Sequence, residues 1–174
     1  MKISSYFFAA VGLVAWGYWP ANRPTPAARA YPITHPSAGS AVAMLAIPRL
    51  GMSTVVVEGA GEHELKLGPG HVRGTSLPGD GGNVGVAGHR DTFFRPLRLI
   101  GKNDTIQMTT HDREYLYKVV STEIVRPEDV RVLYPTGREV LTLITCYPFD
   151  FVGAAPKRFI VRAECVNCSV DKGR

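Results

Sequence analysis

From about residue 41 onward the sequence predicts an all-β domain, a closed barrel or a sandwich, on three observations. Short runs rich in Val, Ile, Leu, Thr and Tyr recur, Gly, Pro and Asp turns separate them at irregular intervals, and no amphipathic pattern of about ten or more residues argues for a helix. The chain has 174 residues, 45% hydrophobic and 20% charged, which is enough to bury one core, and it shows no internal repeat. The expected organisation is an N-terminal membrane anchor or signal segment at 1–21, a linker at 22–40, a β-domain at 41–168 and a tail at 169–174.

The first element is apolar. No charged side chain occurs from Ile3 to Ala21, and a helix over these positions would span roughly 28 Å, close to the hydrocarbon thickness of a bilayer. Lys2 and the α-amino group precede it, so charge bias places the N-terminus in the cytoplasm and the remainder outside, with Trp16, Tyr18 and Trp19 at the outer interface. A cleaved signal peptide is the alternative, because Ala28-Arg29-Ala30 satisfies the small-x-small rule. Either reading exports the domain. Residues 20 to 40, rich in Pro and Ala, read as an extended linker.

Strands are expected near 42–47, 53–58, 83–87, 104–109, 114–125, 139–145 and 158–165, with a helical turn or two at 62–67 and 127–133. The stretch Glu139-Val-Leu-Thr-Leu-Ile-Thr-Cys146 alternates, which puts Leu141, Leu143 and Thr145 on one face and Thr142, Ile144 and Cys146 on the other. Pro148 cannot donate to a ladder, so the strand ends around Cys146 and leaves the thiol beside a loop. Arg158 begins the next strand, and an antiparallel return would bring its guanidinium near Cys146.

The formal net charge is +5, but the basic residues are scattered and none of their runs is interleaved with aromatics. That pattern is a solvated basic surface, suited to anionic headgroups or cell-wall polymers, and no nucleic-acid partner is expected.

Three cysteines make an odd count in an apparently exported chain. Cys165 and Cys168 are close enough in Cys-Val-Asn-Cys to pair, and two plain thiols or half a metal site remain alternatives. A zinc site needs further ligands that no second Cys-x-x-Cys or His-x-x-x-His supplies, and no acidic cluster suggests calcium, so neither metal nor cofactor is expected. If that pair closes, Cys146 is free. A thiol attacks only as thiolate, which calls for a basic or cationic partner. Of the five histidines, His35 lies in the linker, His63 and His111 in charged turns and His71 in Gly-Pro-Gly-His. His89, in Val86-Ala-Gly-His-Arg-Asp-Thr92, follows a strand and a glycine, where its backbone is held and its ring can face a cleft.

The string Thr142-Leu-Ile-Thr-Cys146, with Arg158 downstream, resembles the sortase signature T-L-x-T-C and its arginine. The block from Gly79 through His89 to Leu97 resembles the segment around the sortase histidine. Gly74-Thr-Ser-Leu-Pro78, Cys146-Tyr-Pro-Phe149 and Val152-Gly-Ala-Ala-Pro-Lys-Arg158 most resemble the class D branch, and the likeness spans about residues 42 to 165. This resemblance implies a closed eight-stranded β-barrel with short helices, following an N-terminal transmembrane helix. It implies a cysteine transpeptidase in which Cys146 is the nucleophile, His89 the general acid or base and Arg158 the group that stabilises the oxyanion. Thr145 is a candidate for positioning the thioacyl carbonyl, against a plain strand role, and Asp91 for orienting Arg90 or His89, against a turn role. The implied partners are surface proteins carrying an LPxTG-like C-terminal sorting motif, an amine acceptor on cell-wall peptide or another protein, and the membrane. The implied location is the cell membrane, single-pass, with the catalytic domain extracytoplasmic. Papain-like order places the cysteine before the histidine, and L,D-transpeptidases carry Ser-His-Gly before theirs, so neither fits. An inactive anchored barrel that binds a surface partner is the non-enzymatic alternative.

Overall fold

The computed structural model describes residues 36–168. The expected anchor or signal segment, most of the linker and the tail at 169–174 lie outside the described residues. Among the described residues no helix is long and apolar enough to cross a membrane.

Eight strands form a closed barrel: β1 (Ala41–Ile47), β2 (Met52–Glu58), β3 (Gly70–His71), β4 (Asn83–Gly88), β5 (Thr105–Thr109), β6 (Glu114–Val125), β7 (Val140–Tyr147) and β8 (Lys157–Cys165). Around the barrel they run β1-β2-β3-β4-β7-β8-β6-β5, and β5 closes back on β1. Among the described residues the one α-helix, α1, is the single turn Glu64–Leu67, and 3-10 turns occupy Pro48–Leu50, Arg95–Leu99 and Val130–Leu133. The expected strands all appear within a residue or two of their predicted bounds. β3 was not foreseen, because two residues inside Gly-Pro-Gly-His carry no alternation, and the turns at 48–50 and 95–99, each with a proline in the first positions, read as loop.

Alternation fills the interior. Leu45 and Ile47 of β1, Val84 and Val86 of β4, Leu141 and Leu143 of β7, and Val161 and Ala163 of β8 point inward and are fully buried. Each buried Leu, Ile or Val contributes about 1.5–3 kcal/mol relative to exposure.

The pairing of β4 with β7 is parallel and in register from Asn83↔Val140 to Gly88↔Thr145. Its outer face is covered as well. A Cβ at Gly85 would meet Leu133 of the 3-10 turn and Thr75, and Thr142, beside Gly85 in the ladder, is fully buried. Thr142 Oγ1 donates to Asn83 Oδ1 at 2.7 Å, and Asn83 Nδ2 donates to the carbonyls of Val132 and Tyr134 at 2.9 and 3.1 Å. This relay ties the β6–β7 connection to the barrel. Coverage on both sides is the usual condition of parallel strands, which explains why Thr142 is interior although the alternation sets it opposite Leu141.

Candidate active site

The register of two strand pairs builds one rim of the barrel. Antiparallel pairing of β7 with β8 sets Cys146 directly across from Arg158, as the expected return of the chain requires. Parallel pairing of β4 with β7 sets Gly88 beside Thr145, so His89 leaves its strand next to the end that carries Cys146. Cys146, His89, Arg158 and Thr145, with Ala87, Gly88, Ile144 and Leu65, line one small cavity of about 180 Å³. Leu65 comes from α1, which covers the cavity from the β2–β3 connection. Nothing in its sequence marked that role.

Each polar group is held by the backbone around it. Cys146 is a free, half-buried thiol, because Cys165 and Cys168 are joined in a disulfide with Cα atoms 5.6 Å apart. That settles the three readings of the pair. Glu139 approaches it, with its carboxylate and the two sulfurs within 4.8 Å of one another. The His89 carbonyl accepts the Phe94 N–H at 3.0 Å, and the buried Phe94 ring lies against Gly88, where an added Cβ would come within 2.6 Å of it. A side chain at position 88 would therefore displace the turn that presents His89.

Arg158 spends Nη1 on the carbonyls of Ala155 and Lys157, at 3.2 and 3.0 Å, and forms no ion pair among the described residues. Its charge thus faces the cavity uncompensated. On the other side of β8, Arg158 pairs with Val125, the last residue of β6. The chain then continues into Arg126, Glu128, Asp129 and Tyr134, which border an open concavity of about 840 Å³.

Thr145 and Asp91 are placed differently. Thr145 is 2% exposed and its Oγ1 donates to the Gly88 carbonyl at 2.7 Å, bonding the cysteine strand to the histidine strand. Asp91 is exposed and makes no hydrogen bond to His89 or Arg90 among the described residues. Arg90 instead donates from Nη2 to the carbonyls of Phe151 and Gly153, at 2.5 and 3.0 Å, pinning the β7–β8 connection.

Of the other described histidines, His63 and His111 are exposed, whereas His71 is buried with Nδ1 2.7 Å from Glu58 Oε2. Its Nε2 lies 3.0 Å from the Ser76 carbonyl and 3.1 Å from Thr75 Oγ1. A carbonyl only accepts, so Nε2 carries a proton and the His71–Glu58 pair fastens the segment before β4. The sequence hint was Glu58 itself, a carboxylate closing the apolar run Met52–Glu58.

A family model described as Sortase domain matches residues 45–166. The chain belongs to the sortase family. Sortases are cysteine transpeptidases, and the chain is an enzyme of that type. It is 36% identical to Sortase D of Bacillus subtilis (strain 168) over 133 residues, which cover 76% of this chain and 67% of that one. With Sortase A of Streptococcus agalactiae serotype III it shares 30% identity over 129 residues, or 69% and 51% of the two chains. The matched part spans from about half to two thirds of these relatives. Among solved structures, the Clostridium perfringens Sortase D5 transpeptidase superposes with a TM-score of 0.68 at 28% identity, covering 74% of this chain and 81% of that one. A sortase C of Clostridium perfringens, solved with the C-terminal cell wall sorting motif, gives a TM-score of 0.68 at 25% identity, covering 75% and 72%. This sortase shares their all-β barrel.

Proposed function

We propose that Cys146, His89 and Arg158 form the catalytic centre of a transpeptidase that cleaves an LPxTG-like sorting motif on surface proteins and passes the acyl group to an amine acceptor. The register that gathers the three around one cavity is the observation that carries this reading. The Cys146 thiolate attacks the threonyl carbonyl, Arg158 stabilises the oxyanion, and the C–N bond breaks as His89 gives its proton to the departing amine. A thioester remains. The acceptor amine, an end group of cell-wall peptide or another protein, loses a proton to His89 and attacks that thioester. The amide forms and Cys146 leaves as thiolate. Water in place of the amine yields hydrolysis. The concavity at Arg126–Tyr134 follows directly on β6, whose last residue Val125 pairs with Arg158, and is the place this reading gives to the peptide leading to the scissile bond.

The same reading places the enzyme in the cell membrane, held by the apolar N-terminal segment as a single-pass anchor with the catalytic domain extracytoplasmic. The relative solved with a sorting motif supports the choice of substrate class.

The test is covalent. The full chain in detergent is incubated with LPxTG-type peptides with and without an amine, and the adduct is sought by mass spectrometry. A thioester on Cys146 and an amide product are expected, both lost in Cys146→Ala and His89→Ala variants that stay folded. Arg158→Lys is expected to be a poor replacement, because a point charge does not reproduce the guanidinium fork. A folded enzyme that forms neither product with any such peptide refutes the assignment.

A further inference from the structure

The Cys165–Cys168 disulfide, at the end of β8, closes a loop that other bonds already fasten. Asn167 Nδ2 donates to the Glu114 carbonyl at 3.0 Å, and Asn167 Oδ1 accepts the Leu116 N–H at 2.8 Å. The Val166 N–H donates to the Leu116 carbonyl at 2.8 Å, and Arg113 Nη2 donates to the Asn167 carbonyl at 2.7 Å. None of these bonds passes through sulfur, so opening the S–S bond leaves the two sulfurs close together. The Cys165 sulfur also lies 3.6 Å from Asn167 Oδ1, a contact in which a thiol donates and a disulfide has no proton to give.

A carboxylate lies on the inner side of the pair. Glu139 is 7% exposed, and a carboxylate oxygen and both sulfurs stand within 4.8 Å of one another, close enough to move a proton directly or through one water. Glu139 Oε1 accepts from the Tyr117 hydroxyl at 2.5 Å and from the Gly79 N–H at 3.0 Å. Burial pushes the Tyr117 hydroxyl well above its usual range and the bond to Glu139 adds to that, so the phenol stays a donor. On the outer side Val166, between the two cysteines, is 61% exposed and offers an apolar contact to another protein.

We propose that Cys165 and Cys168 form a second reactive centre, a redox-active pair that exchanges electrons with the Cys-x-x-Cys dithiol of a carrier protein. Cys165 packs against the core, so Cys168 presents the sulfur that is attacked. A carrier thiolate bonds to it, the Cys165–Cys168 bond breaks, and a mixed disulfide forms. Cys165 leaves as thiolate and takes a proton that reaches it from solvent by way of Glu139. The second carrier thiol gives its proton to solvent and attacks the carrier sulfur of the mixed disulfide, and Cys168 leaves as thiolate. The carrier loses two electrons and the pair gains them. The reverse sequence recloses the disulfide, with Glu139 taking the Cys165 proton. This centre is independent of Cys146 and of the transpeptidase reading.

The full chain in detergent is equilibrated in glutathione buffers of graded ratio, starting once from the closed and once from the opened pair, and free thiols are then blocked. Tryptic cleavage after Arg162 separates both cysteines of the pair from Cys146, so mass spectrometry follows the pair alone. The two approaches are expected to meet at mixtures of open and closed pair, with near-UV circular dichroism unchanged and Tm of the opened form lower by no more than about 6 °C. Reduced thioredoxin then serves as the carrier. Glu139→Gln should slow its reaction on the order of 100-fold, and Glu139→Asp, which keeps a proton acceptor, should recover most of the rate. A pair that stays closed in fully reduced glutathione, or opens only as the domain unfolds, is a structural staple and overturns the proposal. So does an opened pair that holds zinc and no longer recloses, which would be a metal site. If Glu139→Gln folds and reacts at the wild-type rate, the proton route is wrong; if it does not fold, the wild-type equilibria decide alone.

Discussion

Replacing Thr145 by Val tests whether one buried hydroxyl joins the two strands of the site. The swap keeps the side-chain shape and removes the hydrogen bond from Oγ1 to the Gly88 carbonyl, 2.7 Å long at a residue 2% exposed. Losing a buried neutral hydrogen bond and stranding part of its acceptor costs about 1–2 kcal/mol. For a domain of this size that lowers Tm by about 3–6 °C. Activity should fall further than stability, because the bond lies one residue from both His89 and Cys146, and a shift of about 1 Å between reacting groups can cost on the order of 100-fold. Thermal unfolding followed by circular dichroism reads the first effect, and single-turnover acylation of Cys146 reads the second. Thr145→Ser keeps the hydroxyl and should recover most of both. If Thr145→Val melts with the wild type and loses only turnover, the hydroxyl serves the substrate and the strand-bonding argument is wrong.

Three further outcomes follow from other contacts. Gly88→Ala drives a methyl into the buried Phe94 ring and should destabilise the domain by about 1–3 kcal/mol, read as a lower denaturant midpoint, with a larger loss of acylation than a remote substitution of equal cost. Arg49 bonds both carboxylate oxygens of Asp104, and with the Gly101 N–H it holds that carboxyl below the usual aspartate range. A depressed value stabilises the fold above the ordinary aspartate range and loses that contribution as pH falls through the folded value, so the Tm gap between wild type and Asp104→Asn should narrow on acidification; a gap independent of pH refutes the ion pair's role. The Cys165–Cys168 disulfide closes a very short loop, so Cys168→Ser should cost no more than about 2 kcal/mol in Tm measurements, and a larger loss would show that the loop does more than constrain the unfolded chain.

The long strands were legible because β1, β2 and β4–β8 each carry enough alternation and turn residues to announce themselves. Cys146, His89 and Arg158 were legible through their neighbours, since Thr-Leu-Ile-Thr-Cys and Ala-Gly-His-Arg-Asp are local strings. What the sequence hid was register. Nothing near Gly88 says that it will lie beside Thr145, and the hydroxyl's partner is therefore invisible until the sheet is known. His71 was hidden for the same reason: its partner Glu58 belongs to a different strand, and a histidine after Gly-Pro-Gly looks like an exposed turn. For Asp91 the sequence left a turn role beside an orienting one, and among the described residues its exposed carboxylate bonds neither His89 nor Arg90.

The parallel pairing of β4 and β7 bears on the order of folding. Their ladder joins positions far apart in sequence, with β5, β6 and the 3-10 turns looped out between them, so its closure carries a large entropic cost until the β5–β6 hairpin has shortened that loop. In a chain whose hairpins have formed but whose barrel is still open, Cys146 and Arg158 already face each other across the β7–β8 hairpin while His89 stands apart. The complete constellation is thus expected to assemble late, with final closure, and a nascent or partly unfolded chain should show a thiol of ordinary reactivity.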